Sequence, residues 1–258
     1  MSSSHGKFVW YELMTTDPKA AEEFYRAVVG WDAKDAGMPD MSYTILSAGE
    51  TPVGGLMKIP QEAASNGARP GWGGYIAADD VDRHADKMKK AGGAIHRAPA
   101  DIPKVGRFAV VADPQGAVFM LFRGMEGAGP PPALEPNAPG NVGWRELHAG
   151  EWKSAFDFYS GLFGWTKGEA IDMGPGGTYQ LFVVGEAPAG GMLTKQPNEP
   201  HPYWLYYFNV KGINAASKRV KDKKGEVLNG PHQVPGGSWI IHCRDPQGAM
   251  FALVSAEA

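Results

Sequence analysis

Two matching segments of this 258-residue chain each place a glutamate on what their residue pattern predicts to be a β-strand, and the second segment adds a histidine. Glu12 lies in the segment FVWYELM, and Glu146 and His148 lie in the matching segment VGWRELHA. Because side chains alternate across a strand, Glu146 and His148 share one face. A carboxylate beside an imidazole can transfer protons or bind a metal ion. If His242 joins them from a later strand, the three form a candidate catalytic cluster.

Each of these residues also has a purely structural explanation. Glu12 and Glu146 could each accept hydrogen bonds from backbone N–H groups or from an arginine, for which Arg107 and Arg244 are candidates. A histidine on a strand often donates to a backbone carbonyl group, and His242 replaces a valine of the first half. Both alternatives stay open, because a buried carboxylate needs partners whichever role it has.

Tryptophan side chains accompany these polar residues. Trp10 and Trp144 share a strand face with Glu12 and Glu146, and Trp204 lies on a later strand segment. Aromatic walls with a few polar groups are typical of sites for planar or apolar small molecules. We therefore predict that Trp10, Glu12, Trp144 and Trp204 contact a ligand.

The chain contains an internal duplication. FYRAVVGW at 24–31 returns as FYSGLFGW at 158–165, and YTILSAGETPVGGLM and the DPQGA turn return later in the same order. The segment 124–140 between the copies is rich in Pro and Gly, which predicts a linker. The pattern therefore predicts two domains, 1–123 and 141–258.

Each predicted domain repeats a smaller pattern of strands and helices. In the first domain, FVWYELM precedes a helix that Asp17 caps, Pro18 begins and Gly30 ends. Further strands follow, and then a new strand and a helix at 81–92 start the pattern again. We predict an α+β fold of four βαβββ modules, two in each domain.

Three motifs resemble those of the vicinal oxygen chelate superfamily, which includes glyoxalase I, bleomycin-resistance proteins and extradiol dioxygenases. They are the helix phrase D-x-x-x-A-x-x-F-Y-x-x-x-x-G-W, the Asp79–Asp80–Val81 start of the second module's helix, and D-P-x-G before each closing strand. The opening Trp-x-Glu-Leu resembles the tandem glyoxalase-like or hydroxylase-like branch. The resemblance implies paired modules that curl a mixed β-sheet into a cup around a small ligand.

The resemblance also implies a divalent metal ion held by His and Glu residues in the cup. The positions at which relatives usually hold these ligands carry Trp10, Gly73 and Met120 in the first domain and Trp144, Leu205 and Ala252 in the second. Indole, methyl and thioether groups are poor ligands for Mg, Mn, Fe(II) or Ni. We therefore expect no metal or other cofactor at the usual positions, and a displaced metal site at Glu146, His148 and His242 stays an open alternative.

Composition excludes several classes of protein. The net charge of −3 with no large basic cluster argues against nucleic-acid binding. The chain has no run of 18 apolar residues, so no membrane span is predicted. The segment MSSSHGKF lacks the apolar core of a signal peptide. The single cysteine, Cys243, can form no disulfide within the chain. We expect a cytoplasmic monomer or homodimer whose partner is a small molecule.

Two hypotheses for the function follow. One is a protein that binds an apolar or aromatic metabolite without turnover and without the usual metal site. The alternative is a lyase or a dioxygenase-type enzyme with a rearranged site in the second domain. In either case we expect His148→Met to weaken ligand binding or turnover while the fold stays nearly intact.

Overall fold

The computed structural model describes residues 4–38, 41–125 and 134–258. The centre of the predicted linker 124–140 lies outside the described residues. Sixteen strands form two eight-stranded mixed sheets, one in each half of the chain. Among the described helices, none is long and apolar enough to cross a membrane.

The first half forms a sheet with the strand order β2-β3-β4-β1-β5-β8-β7-β6. Strands β1 and β4 pair in parallel, as do β5 and β8, and the other pairs whose register is resolved are antiparallel. Its elements are β1 (Phe8–Thr15), α1 (Pro18–Val28), β2 (Asp32–Asp35), β3 (Tyr43–Ala48), β4 (Thr51–Lys58), α2 (Gln61–Ser65), β5 (Gly71–Ala77), α3 (Val81–Lys90), β6 (Ala94–Ile102), β7 (Gly106–Ala112) and β8 (Val118–Gly124).

The second half repeats this order as β10-β11-β12-β9-β13-β16-β15-β14. It has no counterpart of α2 among its described elements and adds a short 3-10 turn at Gly174–Gly176. Its elements are β9 (Val142–Ala149), α4 (Trp152–Phe163), β10 (Thr166–Asp172), β11 (Thr178–Val184), β12 (Ala187–Thr194), β13 (Tyr203–Asn209), α5 (Ile213–Asp222), β14 (Glu226–Gln233), β15 (Trp239–Arg244) and β16 (Met250–Ser255). The predicted α+β fold of tandem βαβββ modules is thus confirmed.

Local chemistry explains the start and the end of α1. Asp17 Oδ1 accepts a hydrogen bond from the backbone N–H of Ala20 at 3.1 Å, and Pro18 occupies the first helical position. The φ of Gly30 is +91°, a conformation that side chains with a Cβ rarely adopt. The apolar face of the helix, which includes Phe24 and Tyr25, is buried. Amphipathic spacing and these two end signals therefore specify the helix as predicted.

Residue contacts divide the chain into two compact units that do not follow the halves. One unit contains the described residues of Met1–Val9, Gly73–Pro130 and Trp144–Trp204. The other contains those of Trp10–Trp72, Pro131–Gly143 and Leu205–Ala258. Each unit therefore combines one module of the first half with one of the second, while the predicted boundaries 1–123 and 141–258 follow the sequence repeat and stay a prediction.

The repeated tyrosine of the helix phrase holds a D-P-Q-G turn in each unit. Tyr25 donates its hydroxyl to Asp245 Oδ2 at 3.1 Å and accepts the indole N–H of Trp72 at 2.9 Å. The equivalent Tyr159 donates to Asp113 Oδ2 at 3.1 Å and accepts from the indole N–H of Trp204. In both units the tyrosine thus comes from one half of the chain and the aspartate from the other.

Replacement of Tyr25 or Tyr159 by Phe should therefore destabilise the protein by about 2 kcal/mol each. The change leaves a buried indole N–H and a buried carboxylate oxygen without their partner, and each such loss costs on the order of 1–2 kcal/mol. Denaturant unfolding of the two variants measures the effect. Because the two sites are equivalent, a loss at one site without a loss at the other would contradict this explanation of the repeat.

Candidate functional site

The candidate site lies on strand β9 in the second half. The carboxylate and the imidazole that the sequence places on one face, Glu146 and His148, are 8% and 6% exposed. The parallel neighbour β12 places Gly191 beside Glu146 and Leu193 beside His148. These two titratable side chains are thus buried on a sheet face and need partners from neighbouring elements.

A chain of hydrogen bonds runs along this face. The indole N–H of Trp144 donates to the hydroxyl of Tyr179 at 2.7 Å, and that hydroxyl donates to Glu146 Oε2 at 2.7 Å. The second carboxylate oxygen, Oε1, lies 2.8 Å from Nε2 of His148. Each oxygen of Glu146 therefore has a hydrogen-bond partner: His148 on the same strand and Tyr179 on β11.

A second carboxylate approaches His148 from the loop between β12 and β13. Oε1 of Glu199 lies 2.7 Å from His148 Nδ1 and accepts the hydroxyl of Tyr203 at 2.7 Å. The backbone N–H of Gln196 donates to Oε2 at 2.6 Å. Both ring nitrogens of His148 therefore face a carboxylate oxygen. The Tyr203 ring stacks on the imidazole at 4.5 Å.

The two carboxylates decide the charge of this imidazole. Burial lowers the pKa of His148, but its contacts with Glu146 and Glu199 more than offset burial and raise the pKa to about 9. Burial raises the pKa of Glu199, yet the contacts with His148 and Tyr203 outweigh it and lower the pKa to about 2. Near neutral pH the site therefore holds an imidazolium ion between carboxylates.

The first half contains only part of this arrangement. The indole N–H of Trp10 donates to the hydroxyl of Tyr43 at 2.9 Å, and Tyr43 is hydrogen-bonded to Glu12, which is 7% exposed. Met14 occupies the position of the histidine. The positions that match Glu199 and Tyr203, 67 and 71, are glycines. The Trp–Tyr–Glu chain is thus common to both halves, and the imidazolium belongs to the second half alone.

The paired glycines of VGGLM and AGGML make room for the tyrosine. A Cβ atom on Gly191 would overlap the ring and hydroxyl of Tyr179, and a Cβ on Gly55 would overlap those of Tyr43. The sequence indicates only that these strands offer no carboxylate at this position. The structure shows that the missing side chain is what lets each tyrosine reach across the sheet toward its glutamate.

Gly191→Ala should therefore destabilise the protein by about 2–3 kcal/mol, because added volume in a packed site forces side chains from their rotamers. Gly55→Ala is the matched change and should have a similar effect. Gly161→Ala on α4 is the control, because its Cβ atom would meet no atom within 4 Å. This change should stabilise the protein by about 0.5–1 kcal/mol. Thermal unfolding measures all three, and a stable Gly191→Ala protein would contradict the assigned role.

The residues present do not fit the metal site that the resemblance implies. Met120 is 1% exposed, and its methyl group would lie 2.6 Å from a Cβ on Gly73, so a thioether fills the space above one expected ligand position. The expected positions of the second half, Leu205 and Ala252, are buried and apolar. A pKa of about 9 for His148 favours protons on both ring nitrogens near neutral pH, which would leave no lone pair for a metal ion. Within the described ranges, no group of three His, Cys, Asp or Glu could hold a metal ion.

The other predicted site residues lie in different surroundings. The Nε2 atom of His242 lies 2.8 Å from the hydroxyl of Tyr207, in the other compact unit from Glu146 and His148. Trp204 is 5% exposed, donates to Tyr159 and packs edge-on against Phe182 at 5.9 Å between centroids. These environments give His242 a partner other than the predicted cluster and give Trp204 a packing role.

The arginines proposed as partners for the strand glutamates bind other groups. Arg107 donates to Asp82 at 2.6 Å and to Asp101 at 2.9 Å. Arg244 donates to Glu226 at 2.6 Å. The carboxylates of Glu12 and Glu146 are met instead by tyrosine hydroxyls and, in the second half, by an imidazole.

Comparison with known proteins agrees with this architecture. The model of the Glyoxalase/Bleomycin resistance protein/Dioxygenase superfamily matches residues 7–121 and 143–253. The chain belongs to this superfamily. The resemblance predicted from the helix phrase and the D-P-x-G turns is therefore confirmed.

Relatives of this family member match over almost the whole chain. "Putative glyoxylase CFP32" of Mycobacterium bovis is 31% identical over 95% of this chain and 93% of its own length. "Anthracycline biosynthesis protein DnrV" of Streptomyces peucetius is 30% identical over 96% of this chain and 93% of its own length.

Solved structures share the fold at low identity. The Mn(II)-bound glyoxalase from Novosphingobium aromaticivorans aligns with a TM-score of 0.66 at 16% identity, over 100% of this chain and 84% of its own. The 2,3-dioxygenase LapB from Pseudomonas sp. KL28 aligns with a TM-score of 0.65 at 12% identity, over 99% and 94%.

Proposed function

We propose that this protein binds a small planar carbonyl compound on the face of β9 without a metal ion. The observation that carries the proposal is the buried imidazolium of His148, held between the carboxylates of Glu146 and Glu199. A fixed positive charge in a buried site attracts a ligand oxygen that carries partial negative charge. In this proposal the imidazolium supplies the positive charge that a metal ion supplies elsewhere in the superfamily.

Aromatic groups around the imidazolium support a planar ligand. Trp144, Tyr179 and Tyr203 are half-buried, and the Tyr203 ring already stacks on the imidazole. Rings of this kind bind flat molecules by stacking and by apolar contact. The name of the DnrV relative refers to anthracycline biosynthesis, and anthracyclines are planar quinones whose oxygens can accept a hydrogen bond. We therefore favour a quinone or hydroxyquinone as the ligand class.

Titration of the full chain with a fluorescent anthracycline tests this proposal. We expect saturable binding that is unchanged after dialysis against a chelator, because no metal ion takes part. The double variant His148→Gln/Glu199→Gln removes the imidazolium and one carboxylate together and should abolish the binding. Glu12→Gln, at the matching strand of the first half, should leave binding within about twofold. Binding that needs added metal, or that survives the double variant, would refute the proposal.

A catalytic role is the second candidate, and the raised pKa of His148, about 9, favours it. An imidazolium that keeps its proton at neutral pH can donate that proton to a carbonyl oxygen as a general acid. Turnover of this type would make the protein a lyase or isomerase of an enolisable carbonyl compound. Incubation of such a compound in D₂O, with deuterium incorporation followed by NMR, distinguishes this enzyme from a binding protein.

A further inference from the structure

A cavity lies outside the candidate site, within the compact unit that contains α3 and α4. Its volume is about 340 Å³, and it is lined by His5, Asp79, the α3 residues Arg83, His84 and Lys87, and residues 160–164 at the end of α4. This volume is sufficient for a phosphate or a small carboxylic acid. Two histidines and two exposed cationic side chains therefore line one open cavity.

The two histidines contact each other at the wall of this cavity. Their ring centroids are 5.0 Å apart, and the ring of His84 stacks on Phe163 with an interplanar angle of 8°. His84 Nδ1–H donates to the backbone carbonyl of Asp80 at 2.8 Å, which fixes the orientation of the ring. His5 Nδ1 is buried without a hydrogen bond and lies 3.8 Å from Asp79 Oδ2. This imidazole nitrogen at the cavity wall is thus available to a ligand as a hydrogen-bonding group.

Charge decides what kind of ligand fits. Arg83 and Lys87 lie four residues apart on the same face of α3, and Asp79 is the carboxylate among the lining residues. With both histidines neutral, the lining groups carry a net charge of +1, which is two cations minus one anion. Burial lowers the pKa of His84, and the neighbouring His5, Lys87 and Arg83 lower it further, so its surroundings are electropositive.

We propose that this cavity binds a small oxyanion, a phosphate or carboxylate group, between Arg83, Lys87 and His5. The carbonyl end of α4 at residues 160–164 carries roughly half a negative charge, which is less than the two full cations of α3. The anion should therefore lie on the α3 side of the cavity.

Protons should control this binding. The charged and titratable groups that face the cavity are His5, Asp79, Arg83, His84 and Lys87. Of these, the two imidazole rings are the groups that can gain a positive charge by binding a proton. Protonation of both raises the net charge of the lining from +1 to +3, so oxyanion affinity should increase as the pH falls. If anion binding raises the pKa of a histidine by one unit, the protonated protein binds the anion about tenfold more tightly than the neutral one.

Titration of the full chain with inorganic phosphate and, separately, with acetate tests the proposal and distinguishes the two oxyanions. The signals are the NMR resonances of the two imidazole rings, and sodium chloride at equal ionic strength corrects for screening. We expect saturable shifts and a higher affinity at pH 6 than at pH 8, because a bound anion favours the protonated form of a neighbouring imidazole.

Variants of α3 give the matched comparison. Arg83→Gln and Lys87→Gln should each weaken binding at least about fivefold, because each removes a full charge from the cavity wall. Lys89→Gln removes the same charge from the same helix at a position that does not line the cavity, and it should leave the affinity unchanged. Equal loss in all three variants would indicate adsorption to a charged surface. That result, or the absence of saturable shifts for both oxyanions, would overturn the proposal.

Discussion

His148→Met should destabilise the folded protein by about 3 kcal/mol, in addition to its effect on the ligand. Methionine copies the first half, where Met14 stands beside Glu12. In the second half, however, the change leaves the buried Glu146 and the half-buried Glu199 near each other without the cation between them. Removal of one partner from a buried ion pair typically costs 3–5 kcal/mol. The expectation from the sequence alone, that this variant folds almost normally, is therefore revised.

Denaturant unfolding near pH 7 measures this effect, and the control is the double variant His148→Met/Glu199→Gln. Removal of the Glu199 carboxylate together with the imidazolium should recover part of the lost stability, because Glu146 is then the one carboxylate that remains in the site. Met14→Leu is the matched apolar change in the first half and should cost less than about 1.5 kcal/mol. A His148→Met protein as stable as the natural one would show that the ion pairs contribute nothing.

The stability of the protein should fall by about 2–3 kcal/mol between pH 7 and pH 9. The pKa of His148 is raised from 6.5 to about 9 in the folded protein. The folded state therefore keeps a proton that the unfolded state has lost, and the free energy of unfolding falls by about 1.4 kcal/mol per pH unit in this range. This contribution is complete below pH 6.5 and is lost as the pH rises through 9.

The acidic side of the profile has the opposite sign. The pKa of Glu199 is lowered from 4.5 to about 2, so its contribution is present above pH 4.5 and is lost as the pH falls toward 2. Unfolding measured across both ranges should thus show losses at each end. In His148→Gln/Glu199→Gln the alkaline loss should be absent over pH 7–9, and an unchanged slope in that variant would assign the loss to other groups.

Local sequence signals were sufficient for the fold. Asp17 and Pro18 at the start of α1 and Gly30 at its end each act on residues close to them in the chain, through hydrogen bonds and φ angles that depend on neighbouring positions. The order of these signals repeats in the second half, which makes the duplicated architecture readable from the chain alone. The repeated tyrosine and D-P-Q-G aspartate are equally visible, but their pairing across the halves is a tertiary contact that no local pattern encodes.

The site was only partly predictable for the same reason. Strand alternation places Glu146 and His148 on one face, and the structure shows them 2.8 Å apart. Glu199 lies in a loop 51 residues after His148, as the difference of their numbers gives, and no periodicity relates the two. Tyr179 had a readable signal, since it aligns with Tyr43 opposite a Gly–Gly pair in both halves. The signal could be interpreted only once the structure showed that the glycines leave room for the tyrosine ring.

The protonation of His148 is the property on which the proposed metal-free site depends most directly. NMR of protein labelled with ¹⁵N in its histidines, with the resonance assigned from His148→Gln, measures both ring nitrogens near pH 7. We expect both nitrogens to carry protons, and we expect an equimolar addition of Zn²⁺ to leave their shifts unchanged, because neither has a lone pair to donate. A neutral ring with one bare nitrogen that shifts on addition of Zn²⁺ would contradict the account and identify His148 as a metal ligand.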